Sequence, residues 1–415
     1  MLAFSTSSAG SENPGDPIRA KPAADWESRP CYTGGKHRAS RKLFAVIAFP
    51  RRLLLLNWRD PWHPRSGGAE LVTLRVLERL AARGWTIDWF SSHYNGAKAA
   101  EIRNGIHFLR AGSSATVHAH AFARYARRRE HDIVIDQINT IPFLTPWYAA
   151  PSIAWFQQLA REVWLYEGGL MGRLGYAAEP IYLRPYRKSP LITISASSAR
   201  SLRAIGLTGP IQILPMAVDE PPDVEVPVKS VPRDIVVVGR LTPSKRVEES
   251  IEAAALLRNV GWRGRLRVVG TGPAYYRKSL ERRVAKLALT DVVVFHGRVD
   301  DDERRRLLRA ASLLWMTSVR EGWGLVVTEA ARHGTPAVVY NVPGLCDAVN
   351  DKSTGFVVRN RPDALVAATC SIFHSFDLFS QRALDQSRPL SWDATAEAFA
   401  DAISVLLPSA QRRRP

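Results

Sequence analysis

Residues 318–330, which read SVREGWGLVVTEA, combine two carboxylates with a glycine-rich turn. Gly322 and Gly324 lack a side chain, so the backbone can approach a ligand closely there. The segment follows a predicted strand and opens a predicted helix, whose free N–H groups and dipole favour a phosphate. Glu321 could accept hydrogen bonds from sugar hydroxyls, and Glu329 could accept them from a ribose diol. Two glutamates alone would indicate a solvated loop residue and an ordinary helix residue, but the glycines between them favour a ligand site.

A second candidate site is the segment 238–245, which reads VGRLTPSK and follows the first strand of the second predicted domain. Arg240 can bind a diphosphate through its forked guanidinium, and Lys245 can act as a point charge. The plainer alternative is a pair of surface cations at a strand end, and these two residues alone would favour that alternative.

Two glycine pairs could bring backbone N–H groups toward the same ligand. Gly270 and Gly272 follow another predicted strand, although Gly-x-Gly also marks ordinary tight turns. Gly67 and Gly68 begin a helix in the first domain, where they could face the diphosphate from across a cleft.

The elements that would position these residues alternate between strand and helix. In the first domain, strands are predicted over residues 53–57, 86–91, 106–109, 132–135, 152–156 and 191–195. In the second, strands are predicted over residues 235–238, 266–269, 292–295, 313–316 and 337–340, with helices over 247–258, 275–288, 301–311, 325–333 and 392–406. Alternating strands and helices predict open parallel sheets covered by helices on both faces. The fold class is therefore α/β, with two Rossmann-like doubly wound domains facing a cleft.

We predict five segments along the chain. They are a disordered tail over residues 1–41, a first domain over 42–214, a proline-rich linker over 215–233, a second domain over 234–390, and a final helix with a basic tail over 391–415. The last segment is expected to pack back toward the first domain.

Composition narrows the class of partner. The formal net charge of +18 implies an anionic partner or simply a basic surface. The spacing of Cys31, Cys346 and Cys370 argues against a disulfide framework or a zinc site and suits the cytoplasm. The uncharged stretch 137–160 is long enough to span a membrane, but three prolines interrupt it. The apolar run 43–49 is followed by arginines rather than by a signal-peptide cleavage site.

The order of these motifs resembles glycosyltransferase family 4. The motif segments are residues 67–70, 239–245, 270–273, 296–297 and 321–329. The resemblance implies a GT-B fold, a nucleoside diphosphate sugar as donor, retention of anomeric configuration and no obligatory metal. It implies that Glu321 binds the transferred sugar, Glu329 the ribose, and the backbone near Arg298 and Val299 the base. The donor-binding set is completed by Gly67, Gly68, Gly239, Gly270, Gly272, Gly322, Trp323, Gly324 and Leu325.

On this interpretation Arg240, Lys245 and the helix start stabilise the leaving diphosphate, and the acceptor attacks the same face of the sugar. Many family members carry a histidine after an Asp-initiated strand of the first domain. Here Asp136 and Gln137 stand at the end of such a strand, and we predict that one of them orients the acceptor. The run Asp300–Asp302 resembles a metal clamp, but we interpret it as a helix cap.

The sequence says less about the acceptor-binding region. Residues 155–188 mix aromatic and cationic side chains, which suits either an acidic membrane surface or a core with a solvated basic face. We therefore expect a lipid-linked or cell-envelope glycan as acceptor, a cytoplasmic location and a peripheral contact with an anionic membrane. A non-catalytic nucleotide-sugar-binding or regulatory protein is the alternative, and a specific nucleic-acid partner is not expected, because no nucleic-acid-binding signature is present.

Overall fold

The computed structural model describes residues 52–407. The predicted tail, the apolar run 43–49, Cys31 and the basic end of the chain lie outside the described residues. Within the described part the chain forms one mainly parallel sheet and one parallel sheet, each flanked by helices, which confirms the predicted fold class.

The first domain contains an eight-stranded sheet in the order β3-β4-β2-β1-β5-β6-β7-β8. Its strands are β1 Arg52–Leu56, β2 Thr86–Ser91, β3 Ala100–Arg103, β4 Ile106–Arg110, β5 Ile133–Ile138, β6 Ser152–Phe156, β7 Leu191–Thr193 and β8 Ile211–Ile213. Its helices are α1 Gly68–Ala82, α2 Val117–Tyr125, α3 Arg161–Glu167, α4 Gly169–Tyr182 and α5 Ala196–Ala204. All pairings are parallel except that of β3 with β4, which is antiparallel.

The second domain contains a six-stranded parallel sheet in the order β11-β10-β9-β12-β13-β14. Its strands are β9 Ile235–Val238, β10 Leu266–Val269, β11 Val293–Gly297, β12 Leu313–Met316, β13 Ala337–Tyr340 and β14 Gly355–Val358. Its helices are α6 Val247–Asn259, α7 Ala274–Lys286, α8 Asp301–Ala310, α9 Leu325–Arg332, α10 Leu345–Ala348, α11 Pro362–His374 and α12 Phe376–Ser387. The short 3-10 turn Pro243–Lys245 precedes α6.

The last helix, α13 Trp392–Leu406, belongs to the core of the first domain. Phe399 is fully buried and its ring lies 4.8 Å from that of Trp155 on β6. Arg79 of α1 pairs with Asp393 at 2.8 Å. The chain therefore crosses to the second domain and returns, so that the two domains are connected twice.

Several strands differ from the predicted bounds by one or two residues at an end. One further difference, in β5, affects the candidate site. The strand predicted over residues 132–135 is β5, which runs from Ile133 to Ile138 and so includes Asp136 and Gln137. The prediction that both residues stand past the end of the strand is therefore wrong. The strand continues through these polar residues because each finds buried hydrogen-bond partners, as described below.

Within residues 52–407, no helix is both long enough and apolar enough to cross a bilayer.

Candidate functional site

The carboxyl ends of β9 and β12 bring the two principal motifs together. Lys245, in the turn after β9, donates from its ammonium group to the carboxylate of Glu321, in the loop after β12. Ser318 Oγ donates to the same carboxylate oxygen at 2.7 Å. The side chains of Lys245 and Glu321 are largely buried, with 22% and 16% of their surface exposed. Parallel strands place their carboxyl ends on one edge of the sheet, which explains why residues so distant in sequence meet.

Different structural constraints require glycine at three positions of the second domain. Gly324 stands before α9 with φ of 92°, a backbone conformation that side chains rarely permit. A Cβ at Gly270 would lie 1.8 Å from the carbonyl oxygen of Gly239, and a Cβ at Gly272 would lie 1.7 Å from that of Leu241. The turn after β10 therefore requires glycine at both positions in order to pack against the turn after β9.

The two domains meet at their helix N-termini. A Cβ at Gly68, the first residue of α1, would lie 3.1 Å from Cδ1 of Leu325, the first residue of α9. Leu325 and Trp323 pack against the core of the first domain. Free N–H groups at the starts of both helices thus face one region between the domains, which suits an anionic ligand.

A buried carboxylate organises the glycine loop before α1. Glu70 is fully buried and accepts from the N–H of Gly67 at 2.8 Å and from Asn139 Nδ2 at 2.9 Å. The guanidinium of Arg59 donates to the same carboxylate at 3.1 Å. Burial lowers the pKa of Arg59, Glu70 opposes this effect, and the positive charge of Arg240 lowers the pKa further. Arg59 of the first domain therefore lies within electrostatic reach of Arg240 of the second.

Arg240 itself is exposed, and no carboxylate within the described part of the chain pairs with it. Together with Lys245 it lines a small cavity of about 10 Å³, enough for one water molecule, beside Gly239, Trp315 and Ser318. The paired cations predicted from the sequence thus border a single cavity at the end of β9. A separate cavity of about 650 Å³ lies between residues 226–233 and α12, and no motif residue lines it.

Glu329 lies inside α9 and is almost completely buried. Its Oε1 lies 3.5 Å from Arg304 Nη1, whereas Oε2 has no hydrogen-bond partner among residues 52–407. Burial raises the pKa of Glu329 to about 7, and the charge of Arg304 opposes that rise. A buried carboxylate oxygen without a donor costs free energy, so a ligand hydroxyl would be favoured there.

Arg298 and Val299 follow β11, and Arg298 is exposed whereas Val299 packs against the core of the second domain. Asp300 caps α8 by accepting from the N–H of Glu303 at 2.8 Å. That contact accounts for the first carboxylate of the Asp300–Asp302 run.

Asp136 does not reach the cleft. It is fully buried, accepts from the hydroxyl of Tyr186, and accepts from the hydroxyl of Thr145 at 3.1 Å. Burial raises the pKa of Asp136 to about 6, while these donors oppose the rise. The carboxylate joins β5 to two distant segments of the first domain, which is a structural role.

Gln137 is also buried and internally bonded. Its amide nitrogen donates to Thr73 Oγ1 at 2.7 Å, and its oxygen accepts from Asn57 Nδ2 at 2.9 Å. The side chain therefore ties β5 to α1 and to the end of β1. The sequence interpretation placed an acceptor-side group here because Asp136 and Gln137 were expected past the end of the strand.

Another residue of the first domain does lie at the domain interface. Gln157 follows β6 directly, and its main-chain oxygen would lie 2.6 Å from a Cβ at Gly322. Its side chain is 6% exposed, yet neither the amide nitrogen nor the amide oxygen has a hydrogen-bond partner in the described chain. Sequence reasoning missed Gln157, although the polar pair Gln157–Gln158 directly after a predicted strand was the signal for it.

Direct bonds hold the two domains together around this region. Arg320 pairs with Glu162 of α3 and donates to Ser201 Oγ of α5 at 3.2 Å. Ser197 bonds Asp347 and accepts from the N–H of Gly344 at 2.7 Å. The cleft is therefore closed along the side where α3 and α5 meet the second domain.

Comparison with known proteins gives the site a context. Residues 223–377 match the family model described as "Glycosyl transferases group 1". Over 186 residues the chain is 34% identical to the D-inositol 3-phosphate glycosyltransferase of Streptomyces griseus, a match covering 42% of this chain and 39% of that protein. The chain spans about two fifths of the length of the curated relatives of this type that it matches.

Similarity to solved structures extends over both domains. Sucrose-phosphate synthase from Thermosynechococcus elongatus aligns with a TM-score of 0.70 at 18% identity, covering 86% of this chain and all of that one. HepE from Anabaena in complex with UDP aligns with a TM-score of 0.65 at 16% identity, covering 86% of this chain and all of that one. At such low sequence identities, the structural similarity establishes the fold alone, which is GT-B. The chain thus carries a glycosyl transferases group 1 domain over residues 223–377, within a two-domain GT-B architecture.

Proposed function

We propose that the protein is a retaining glycosyltransferase of family 4 that moves a hexosyl or related sugar from a nucleoside diphosphate sugar to an acceptor. The observation that carries the proposal is the juxtaposition of Gly68 and Leu325, which sets two helix N-termini toward one region between the domains. A diphosphate fits such a region because it accepts hydrogen bonds from both helix starts.

The charge of the leaving diphosphate is balanced by Arg240 and Lys245 rather than by an obligatory metal. Both cations border the cavity at the end of β9. Lys245 holds Glu321 in the free protein. When the donor binds, the phosphate takes over Lys245, and Glu321 becomes available to the hydroxyls of the transferred sugar. The mutual ion pair is thereby replaced by two contacts with the donor, one from Lys245 to the phosphate and one from Glu321 to the sugar. Both contacts form only with an intact sugar nucleotide.

The nucleoside would occupy the next positions along the same edge of the sheet. Glu329 accepts from the ribose diol, which supplies the donor that its buried Oε2 lacks. The backbone near Arg298 and Val299, at the end of β11, contacts the base. The structure of HepE, one of the structural neighbours, was solved in complex with UDP, and this supports the proposal of a nucleotide site in this chain.

On the acceptor side we assign the orienting role to Gln157 instead of Asp136 or Gln137. Its amide is buried at the domain interface beside the loop of Glu321, with unused hydrogen-bonding capacity. A retaining reaction on one face needs no strong base there, because the leaving phosphate can accept the proton of the acceptor hydroxyl. An amide oxygen can orient that hydroxyl or stabilise positive charge at the sugar carbon.

The acceptor is proposed to be a lipid-linked or cell-envelope glycan, used at the cytoplasmic face of a membrane that the protein contacts peripherally. The net charge of +18 supports an anionic surface as partner. The non-catalytic alternative predicts binding without turnover. The unpartnered amide of Gln157 on the acceptor side favours catalysis, because a protein that only binds a nucleotide sugar has no use for it.

The test is a release assay. Purified protein is incubated with UDP- and GDP-sugars and with an acceptor panel of extracted lipids, and D-inositol 3-phosphate is included because it is the named acceptor of a relative. We expect the nucleoside diphosphate to be released in proportion to the amount of acceptor that is glycosylated. Proton NMR of the product should show retained anomeric configuration. Binding of a sugar nucleotide with no release for any acceptor would favour the non-catalytic alternative, and an inverted product would refute the retaining assignment.

A further inference from the structure

Helix α4 presents an apolar face to solvent. Leu170, Met171, Leu174 and Ile181 are between 57% and 77% exposed. Leu170, Leu174 and Ile181 are spaced four and seven residues apart, so they form one stripe along the helix. A contiguous exposed stripe of large apolar side chains differs from single exposed residues, which are common on any surface.

The opposite side of α4 explains why this stripe cannot turn inward. A Cβ at Gly172 would lie 1.9 Å from the carbonyl oxygen of Trp164 on α3, and a Cβ at Gly175 would lie 2.8 Å from its indole ring. Glu179, on the same side, accepts from the N–H groups of Ala160 and Arg161 at the start of α3. Small residues and one carboxylate thus fix the packed face of the helix and leave the large apolar residues outside.

The exposed charges around the stripe that form no ion pair are mostly positive, and the exception is Glu167 at the end of α3. Arg173, Arg184, Arg187 and Lys188 are exposed, and no ion pair in residues 52–407 involves any of them. Of the nearby carboxylates, Glu162 pairs with Arg320, whereas Glu167 accepts from the neutral hydroxyl of Ser244 and keeps its charge. Four cations against one such carboxylate leave this surface positive. An apolar stripe flanked by free cations is complementary to anionic lipid, because acyl chains accept the stripe and headgroups accept the cations.

The stripe is also connected to the candidate site. Glu167, at the end of α3, accepts from Ser244 in the turn that carries Lys245. Glu162, at the start of α3, pairs with Arg320 next to Glu321. The α3–α4 hairpin therefore joins the loops of the candidate donor site on one side to the exposed stripe on the other.

We propose that the exposed face of α4 docks the protein on an anionic membrane, with the cleft beside the lipid surface. The inference rests on the proposed function only in that a lipid-linked acceptor gives the docking its purpose. The chemistry of the face selects lipid rather than a second copy of the chain, because two copies would bring the same four cations together.

The test compares binding to vesicles of phosphatidylglycerol and phosphatidylcholine with binding to phosphatidylcholine alone, by cosedimentation of the full chain. We expect binding only to the anionic vesicles, and weaker binding as salt rises from about 0.05 M to about 0.5 M. L170S/L174S should reduce the partition coefficient by about tenfold or more. The matched control L256S/L378S, which replaces exposed leucines of the second domain, should bind as the wild type does.

Thermal shift by UDP and GDP is measured on the same preparations, so that loss of docking is separable from loss of the donor site. Failure of the wild-type protein to bind anionic vesicles would overturn the proposal, whether or not nucleotides bind. So would an L170S/L174S variant that still binds vesicles fully, or a wild-type dimer in solution that L170S/L174S converts to monomer.

Discussion

Lys245 and Glu321 form an ion pair that joins the loops after β9 and β12, two neighbouring strands of the second sheet. The sequence predicts that the two residues bind different parts of the donor, Lys245 the diphosphate and Glu321 the sugar. Their direct bond means that a bound donor has to separate or share them. Substitutions at either position therefore test the division of roles.

We predict that Glu321→Gln lowers turnover by about a hundredfold or more while the bare nucleoside diphosphate binds as tightly as before or more tightly. The reason is that an amide cannot hold the Lys245 ammonium as an ion pair, which leaves Lys245 free for phosphate. Initial rates and titration calorimetry with the nucleoside diphosphate give the two quantities. A loss of nucleotide affinity that matches the loss of turnover would contradict separate roles.

Glu329 should make the stability of the free protein depend on pH. Burial raises its pKa from 4.5 to about 7 in the folded protein. Between these values the folded state retains a proton that the unfolded state has lost, so the free energy of unfolding falls as pH rises. This contribution is fully present below about pH 4.5 and is lost above about pH 7, and it amounts to about 3 kcal/mol.

Urea denaturation at about pH 5 and about pH 8 measures this dependence. Glu329→Gln removes the titrating group, so its stability should fall less across that interval than that of the wild type. The stability of Glu397→Gln, a substitution at an exposed position of α13, should fall as much as that of the wild type. Equal falls for Glu329→Gln and the wild type would show that Glu329 does not titrate in this range.

Substitutions of Gln157 and Gln137 should affect different properties, turnover for Gln157 and stability for Gln137. Gln157→Ala is expected to lower turnover by about tenfold to a hundredfold with little change in nucleotide affinity or melting temperature, because its amide bonds no other group of the described chain. Gln137→Ala breaks two buried hydrogen bonds and should lower stability by about 1–3 kcal/mol. Assays well below both melting temperatures compare turnover per folded molecule. Loss of turnover in Gln137→Ala alone would return the acceptor-side role to β5.

Much of the second domain could be predicted from the sequence. The bounds of β9, β10, β12 and β13 match the prediction. β9, β12 and β13 are short continuous apolar runs with polar, proline or glycine residues at their ends, and only Arg267 interrupts the apolar run of β10. The bounds of α13 also match, since its apolar stripe is regular.

The first domain was harder for identifiable reasons. The exposed edge strand β3 has no apolar alternation and was not predicted. The end of β5 was misplaced because Asp136 resembles a strand terminator, whereas its partner Tyr186 lies 50 residues away in sequence. Only the fold brings such partners together, so the buried role of Asp136 and the interfacial role of Gln157 could not be separated beforehand.

The return of α13 to the first domain predicts a large effect at Phe399. Phe399→Ala should lower the free energy of unfolding by about 3–5 kcal/mol, because it removes a fully buried ring that packs on Trp155. Val405→Ala, at an exposed position of the same helix, should change it by less than about 0.5 kcal/mol. Similar effects of the two substitutions would mean that α13 is only loosely attached to the first domain.

The most direct test of the donor site is the shift in melting temperature caused by UDP and GDP. A ligand that binds only the folded state raises the melting temperature progressively with its concentration, and we predict this for at least one of the two nucleotides. The R240A/K245A variant should lose the shift. The control R263A/K278A, which removes two exposed cations elsewhere in the second domain, should keep it. A full shift in R240A/K245A, or no shift of the wild type with either nucleotide, would contradict a nucleoside diphosphate site between the two domains.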